Sequence, residues 1–337
     1  MKLGLIGSGF MAGQHLENLQ SIEDCTVASV SDVNPGAIRN LKKHFPSIEN
    51  AGEFTDFREM IRAGNLDSVI IATPHSLHYE QTIFALQNDL DVLIEKPMVT
   101  TSAQAREIAE LAKTTAKLVT VAYQRHTEPT YWHAQQLVSE GKLGKLHYVS
   151  GLQTQGWYRD KLGTWRTNPE FNEMGYIADS GSHLIDAVRW ITGSRAQEVF
   201  ARIENLSAEV PVNASVTIRF GDDTIASISL VGSAPEWREH IRLYGEQGEI
   251  VLNYNYDEYY AALNSSVEVT DYHNSRTERP LRMLPPRSNP TRNFVNSLRG
   301  KEDPLCTSED GLKTTEILDA IQTSAKVGKP VEIPEEY

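Results

Sequence analysis

Leu3-Gly4-Leu5-Ile6-Gly7-Ser8-Gly9-Phe10-Met11-Ala12-Gly13 is the stretch on which the reading of this chain turns. An apolar strand runs into Gly7-x-Gly9-x-x-Ala12, and a helix-forming segment follows. Gly7 permits a tight turn, Gly9 lets the backbone approach a pyrophosphate, and the small Ala12 lets helix and strand pack closely. The first N–H groups of the helix then face the anion. Such a turn also arises for purely structural reasons, so its surroundings decide.

The second apolar run, Thr26 to Ser31, ends at Asp32, which lies 32 minus 7, or 25, positions past Gly7. A carboxylate at that strand end accepts hydrogen bonds from the adenosine ribose hydroxyls and repels an added 2′-phosphate. Val33 offers no cation to such a phosphate. NAD is therefore expected over NADP. The competing structural reading makes Asp32 a helix cap, with Asn34 as a rival cap before Pro35.

Outward from this turn, short apolar runs alternate with helix-length segments: Lys2 to Ile6, Thr26 to Ser31, Ser68 to Ala72, Val92 to Ile94 and Leu118 to Ala122. That alternation specifies an α/β, doubly wound parallel sheet of Rossmann type over residues 1–122. Runs such as Ser68-Val69-Ile70-Ile71-Ala72 are continuous because both faces of a parallel sheet are covered. Beyond residue 122 a helical segment from Pro129 to Glu140 precedes closely spaced strand-like runs at Lys145 to Gln153, Ser215 to Phe220, Thr224 to Leu230, His240 to Tyr244 and Glu249 to Leu252. Residues 123–337 read as one α+β domain with a largely antiparallel sheet. Asn253 to Pro290 is polar and receives no assignment. Helical spacing returns from Arg292 to Leu298 and from Ser308 to Lys326.

With 337 residues, 40% hydrophobic and 23% charged, the chain has material for two cores. Its net charge, 32 minus 45 or -13, repels phosphate backbones and anionic membrane surfaces, so no nucleic-acid partner and no membrane association is expected. No stretch approaches the roughly 20 apolar residues that span a bilayer, and the start reads as a first strand rather than a secretory signal. Cys25 and Cys306 form neither a CxxC pair nor a disulfide framework, which fits a reducing, cytoplasmic compartment.

Three further stretches, Ala72-Thr73-Pro74-His75-Ser76-Leu77-His78, Glu95-Lys96-Pro97 and Asp179-Ser180-Gly181-Ser182-His183, carry a resemblance to the glucose-fructose oxidoreductase and inositol dehydrogenase family, called Gfo/Idh/MocA. The ending Ser308-Glu309-Asp310-Gly311-Leu312 and Ser324 to Val331 matches as well, so the resemblance spans essentially the whole chain. It implies an active site of Lys96, Asp179 and His183. The residue types suit the chemistry: oxidising a secondary alcohol needs a base for the hydroxyl proton, a cation for the developing oxyanion and a nicotinamide for the hydride. The resemblance further puts Gly7, Gly9, Phe10, Met11, Asp32, Thr73, Pro74, His78, Glu95, Gln124, Trp165 and Arg166 on the cofactor. Arg125 and Tyr176 are assigned to the substrate, and a salt bridge to Glu128 is the structural alternative for Arg125. His75 and His78 lack acidic or thiolate company, so no metal is expected.

Each residue has a bland counterpart: Asp179 as a helix cap, His183 as a core histidine, Lys96 as a solvated lysine beside Glu95. Where the family commonly has a glycine-rich run, this chain has Glu173-Met174-Gly175-Tyr176, which puts the identity of the substrate outside what the resemblance implies. The resulting expectation is an NAD(P)-dependent oxidoreductase of a sugar, inositol or related polyol, self-associating as a homodimer or homotetramer. The alternatives are an NAD-dependent glycosidase using transient sugar oxidation, separable by net NADH production, and a non-catalytic NAD-binding regulator.

Overall fold

The computed structural model describes residues 1–257, 262–279, 284 and 288–334. It forms two compact units, one of Met1–Tyr123 with Ser288–Leu312, the other of Gln124–Arg287 with Lys313–Tyr337.

The first unit carries strands β1 (Lys2–Ile6), β2 (Thr26–Ser31), β3 (Gly52–Phe54), β4 (Ser68–Ile71), β5 (Asp91–Ile94) and β6 (Val119–Val121). Helices α1 (Phe10–Leu19), α2 (Pro35–His44), α3 (Phe57–Arg62), α4 (His78–Gln87) and α5 (Ser102–Thr115) connect them. The strands pair in parallel in the order β3-β2-β1-β4-β5-β6. Strand order reverses between β1 and β4, which makes the carboxyl ends of those two strands the binding crevice of the sheet. Local chemistry agrees with the topology. Asn34 caps α2 by accepting from Gly36 N at 2.9 Å, Pro35 occupies the first turn, and Lys42, Lys43 and His44 complement the dipole at its end.

In the second unit α6 (Pro129–Ser139) precedes β7 (Leu146–Thr154), the short α7 (Trp157–Lys161) and α8 (Ser182–Thr192). Then come β8 (Ala196–Glu204), β9 (Asn213–Phe220), β10 (Ile225–Val231), β11 (Arg238–Gly245), β12 (Gly248–Asp257), β13 (Ala262–Asp271) and β14 (Arg276–Glu278). After α9 (Pro290–Leu298) and α10 (Ser308–Val327), β15 (Val331–Glu332) closes one sheet edge. The order is β14-β13-β12-β11-β7-β10-β9-β8-β15, antiparallel except for the β7·β10 pair. Inward positions Val149, Ile228, Leu230, Ile241 and Leu243 join Leu184, Ile185 and Val188 of α8 in one core.

Two expectations change. Residues 288–312, read as part of the second domain, belong to the first unit, because Phe294 and Val295 of α9 bury in the core of the parallel sheet. The segment left unassigned from Asn253 continues β12 and supplies β13 and β14; its residues 258–261, 280–283 and 285–287 lie outside the described residues.

Candidate active site

The glycine turn has the geometry its sequence requires. Gly7 adopts φ +95°, and a Cβ there would stand 2.7 Å from the Ala72 carbonyl oxygen, so only glycine fits. At Gly9 an added Cβ would meet nothing within 4 Å, so open space lies over the start of α1. No side chain caps this helix and its first turn holds no acid, which leaves its N–H groups to an anion. Asp32 is not the cap of α2, a role Asn34 takes. Its two oxygens instead accept Ser8 N and Asn34 N, each at 2.8 Å, tying the turn to the end of β2. Phe10, the first residue of α1, and Val33, which follows Asp32, are 78% and 89% exposed, and Met11 is half-buried. An open cradle, a free helix start and a fixed carboxylate fit a dinucleotide.

The Lys96 turn follows β5 in the same unit. Lys96 is half-buried and its peptide bond to Pro97 is cis. Beside it both oxygens of Glu95 are engaged internally: Oε1 by His15 Nε2 at 3.1 Å and Oε2 by Lys96 N at 3.2 Å. Burial alone would raise the Glu95 carboxyl. The His15 imidazole and the charge and N–H of Lys96 outweigh burial and hold it below the ordinary range. Thr73, at the end of β4, donates its hydroxyl to Gln81 Oε1 at 2.6 Å, and Pro74 is half-buried beside it. His78 departs from expectation. It is 0% exposed, and its Nδ1 and Nε2 stand 2.9 Å from the Pro97 and Thr73 carbonyl oxygens, so neither nitrogen faces a ribose. Burial pulls its pKa below the ordinary histidine value, against the upward pull of these carbonyls.

In the second unit Asp179 lies in a wide, π-type turn, Ile177–Gly181, that runs directly into α8 and brings His183 one turn later. Such wide turns recur at functional sites. A Cβ at Gly181 would stand 2.7 Å from Leu230 Cδ1, so a larger residue there would have to displace that buried side chain. Asp179 Oδ2 accepts the Trp157 indole N–H at 2.7 Å and Arg166 Nε at 3.0 Å, and the Arg166 guanidinium lies 4.3 Å over the Trp165 ring. These donors favour the ionised carboxylate. His183 and Gln124 are half-buried.

Both residues assigned to the substrate turn out to be engaged inside the unit. Arg125 pairs not with Glu128 but with Glu239, through Nε to Oε1 at 2.8 Å and Nη2 to Oε2 at 3.0 Å. Tyr131 donates to the same carboxylate, Gln153 Nε2 donates to it at 2.7 Å, and the hydroxyl of Tyr176 donates to Gln153 Oε1 at 3.1 Å. Burial, then Glu239 and Asp179, push the Tyr176 phenol well above its usual value, which unsuits it as a base. Three contributors escaped the sequence reading: Trp157, Glu239 and His15. Glu239 was legible as a charge in phase with inward Ile241 and Leu243, and His15 as a polar member of the buried stripe Ala12, His15, Leu16, Leu19.

The family model described as an oxidoreductase family, NAD-binding Rossmann fold, matches residues 1–123, and that of the Gfo/Idh/MocA C-terminal domain matches residues 131–251. The chain belongs to the Gfo/Idh/MocA family. Residues 1–123 are thus an NAD-binding Rossmann domain of this oxidoreductase family. This Gfo/Idh/MocA chain is 24% identical over 330 residues to the myo-inositol 2-dehydrogenase of Thermotoga maritima, covering 92% of each. The inositol 2-dehydrogenase of Rubrobacter xylanophilus is 25% identical over 63% of this chain and 58% of its own length, so the match spans less than two thirds of that relative. Among solved structures, an oxidoreductase domain protein from Kribbella flavida superposes with TM-score 0.87 at 23% identity over 99% of both chains. A levoglucosan dehydrogenase in complex with NADH gives 0.85 at 21% over 100% of both.

Proposed function

We propose that this oxidoreductase interconverts a hydroxyl of a sugar, inositol or related polyol with the corresponding carbonyl. Bound NAD would supply the hydride acceptor, held by Gly7, Gly9 and Asp32 with Phe10, Met11, Thr73 and Pro74 alongside. Gln124, Trp165 and Arg166 belong to the same cofactor assignment. His183 takes the hydroxyl proton, and the Lys96 ammonium stabilises the oxyanion that develops as the proton leaves. Asp179, kept ionised by Trp157 and Arg166, orients the imidazole or a substrate hydroxyl. The observation that carries this reading is the π-type turn that delivers a doubly hydrogen-bonded carboxylate and a histidine one turn apart. The relatives named for inositol and levoglucosan support the substrate class. A screen of inositols, aldoses and anhydrosugars with NAD and NADP, followed by NADH absorbance, tests it. Net NADH formation with none of these substrates sinks the reading.

Two expected results belong to it. NAD should bind more tightly than NADP, and Asp32→Ser should narrow the difference, because the carboxylate repels a 2′-phosphate. Titration showing stronger wild-type binding of NADP contradicts this. In the oxidative direction turnover should rise with pH through one ionisation, since only a neutral imidazole accepts the proton. His183→Ala should abolish that limb of the profile; retention of both activity and limb assigns the base elsewhere.

Self-association as a homodimer or homotetramer and a cytoplasmic location complete the proposal. The outward sheet face supports association: Tyr148 and Ile225, cross-strand neighbours on β7 and β10, are 40% and 42% exposed, beside Leu152 and Tyr244. No helix among the described residues is long and apolar enough to cross a membrane.

A further inference from the structure

The turn Glu95–Pro97 is held from two sides by buried histidines that belong to different helices. His15, in the buried stripe of α1, sets Nε2 3.1 Å from Glu95 Oε1 and Nδ1 2.8 Å from Thr291 Oγ1 of α9. A carboxylate can only accept, so Nε2 carries the hydrogen of the first contact. The other Glu95 oxygen accepts the backbone N–H of Lys96 itself. On the far side of Lys96, His78 at the start of α4 reaches the Pro97 carbonyl with one nitrogen and the Thr73 carbonyl with the other. A neutral imidazole has one N–H for these two acceptors, so the ring is a shared link between the loops after β4 and β5. The backbone of Lys96 is thereby anchored just before and just after the residue, by side chains that a solute does not reach.

We propose that His15 and His78 are positioning residues for Lys96. His15, through Glu95, ties the Lys96 N–H to the helix whose start faces the dinucleotide, and His78 fixes the following carbonyl. Neither touches substrate. The proposal rests on the reading that the Lys96 ammonium meets the developing oxyanion, because a long side chain can be aimed only as well as its backbone is held. Misplacing such a group by about 1 Å costs roughly a hundredfold in rate. A pair of histidines serving only as packing would change stability and leave turnover alone.

The test is a set of variants in the full chain, read by kcat and by NAD titration. His15→Leu should lower kcat about ten- to a hundredfold with NAD affinity within about threefold, since the loss lies in orientation rather than binding. His15→Gln, which still donates to Glu95 and accepts from Thr291, should recover most of that loss. His78→Gln, whose amide nitrogen can donate to one of the two carbonyls while its oxygen cannot donate to the other, should show an intermediate kcat defect, and it stands in should a larger change at that buried site prevent folding. In a Lys96→Met background, assayed at high enzyme concentration, each histidine change should cost less than about twofold, because the group being aimed is gone. Wild-type kcat in His15→Leu overturns the proposal. So does an equal fold-loss with and without Lys96, or a tenfold loss of NAD affinity at unchanged kcat. Should Lys96→Met itself turn over normally, the role of Lys96 fails first, and that single variant shows it before any histidine is changed.

Discussion

Lys96→Met should lower turnover by about 10²–10³, roughly 2.7–4 kcal/mol of barrier, the cost of removing one donor to a developing oxyanion. Methionine preserves the length and most of the packing of the stem while deleting the charge. In the proposed mechanism the ammonium would meet full negative charge only as the hydroxyl proton leaves, so its contribution would appear in the transition state and not in ground-state binding. NAD affinity should therefore stay within about threefold, and kcat and kcat/KM should fall together. Added to a His183→Ala change, the loss should be much smaller than the product of the two, because a base and an oxyanion partner act on one step. Steady-state rates with the best substrate of the screen, and NAD titration of both proteins, decide the matter. A Lys96→Met enzyme within threefold of wild type, well under the tenfold that about 1.4 kcal/mol represents, makes Lys96 a structural residue of its turn.

What the sequence carried and what it withheld divide along the range of the interactions. The glycine turn, the continuous apolar runs of β1, β2 and β4 and the spacing of Asp179 and His183 are local patterns, and each is present in the structure where a local rule would put it. Asp179 lies in a π-type turn continuous with α8, a widening that no local spacing rule announces. Short or polar strands had too little periodicity to be seen: β3 has three residues, and β13 bears Asn, Ser, Glu and Thr. Partner identity was out of reach. For Arg125 the nearest carboxylate in sequence is Glu128, three residues on, yet its partner is Glu239, 114 residues away on a strand that only the folded sheet brings alongside. The same holds for His15, whose partner Glu95 is 80 residues distant. His78 sat in a motif associated with the cofactor, but no sequence rule says that both its nitrogens end on carbonyls. Residues 288–312 could not be assigned to the first unit from spacing alone, because the periodicity of α9 declares an apolar face without declaring which core receives it.

The Arg125–Glu239 pair makes the second large effect a matter of stability. Both side chains are essentially inaccessible, the guanidinium lies 4.4 Å over the Tyr254 ring, and among the described residues its Nη1 has no hydrogen-bond partner. Deleting one member of such a pair costs about 3–5 kcal/mol, since the other is left as an uncompensated buried charge. Arg125→Met should therefore destabilise the protein by that order, read as a shift of the urea midpoint at unchanged slope. Arg125→Met combined with Glu239→Gln should recover part of it, because the stranded charge is gone while Tyr131 and Gln153 keep the amide hydrogen-bonded. The pH dependence provides a second, independent sign. In the wild type burial raises the Glu239 carboxyl, but Arg125 outweighs it and holds the group below the ordinary glutamate value. A carboxylate depressed in the folded state contributes stability that is fully present above about pH 4.3, the unfolded value, and is lost as pH falls through the folded one. Glu95 and Asp186 are depressed in the same sense, so none of these three carboxylates weakens the wild type between about pH 7 and about pH 5.5. Buried His78, held below the ordinary histidine value, costs stability there in wild type and variant alike, and the difference between the two proteins is what reports on Glu239. Without Arg125 the burial of Glu239 dominates and the folded pKa moves above the unfolded one. The contribution changes sign: protonation now relieves a buried charge, so Arg125→Met should gain stability relative to wild type across the same pH interval. A variant whose deficit is the same at both ends of that interval has lost packing around Tyr254 rather than a counter-ion.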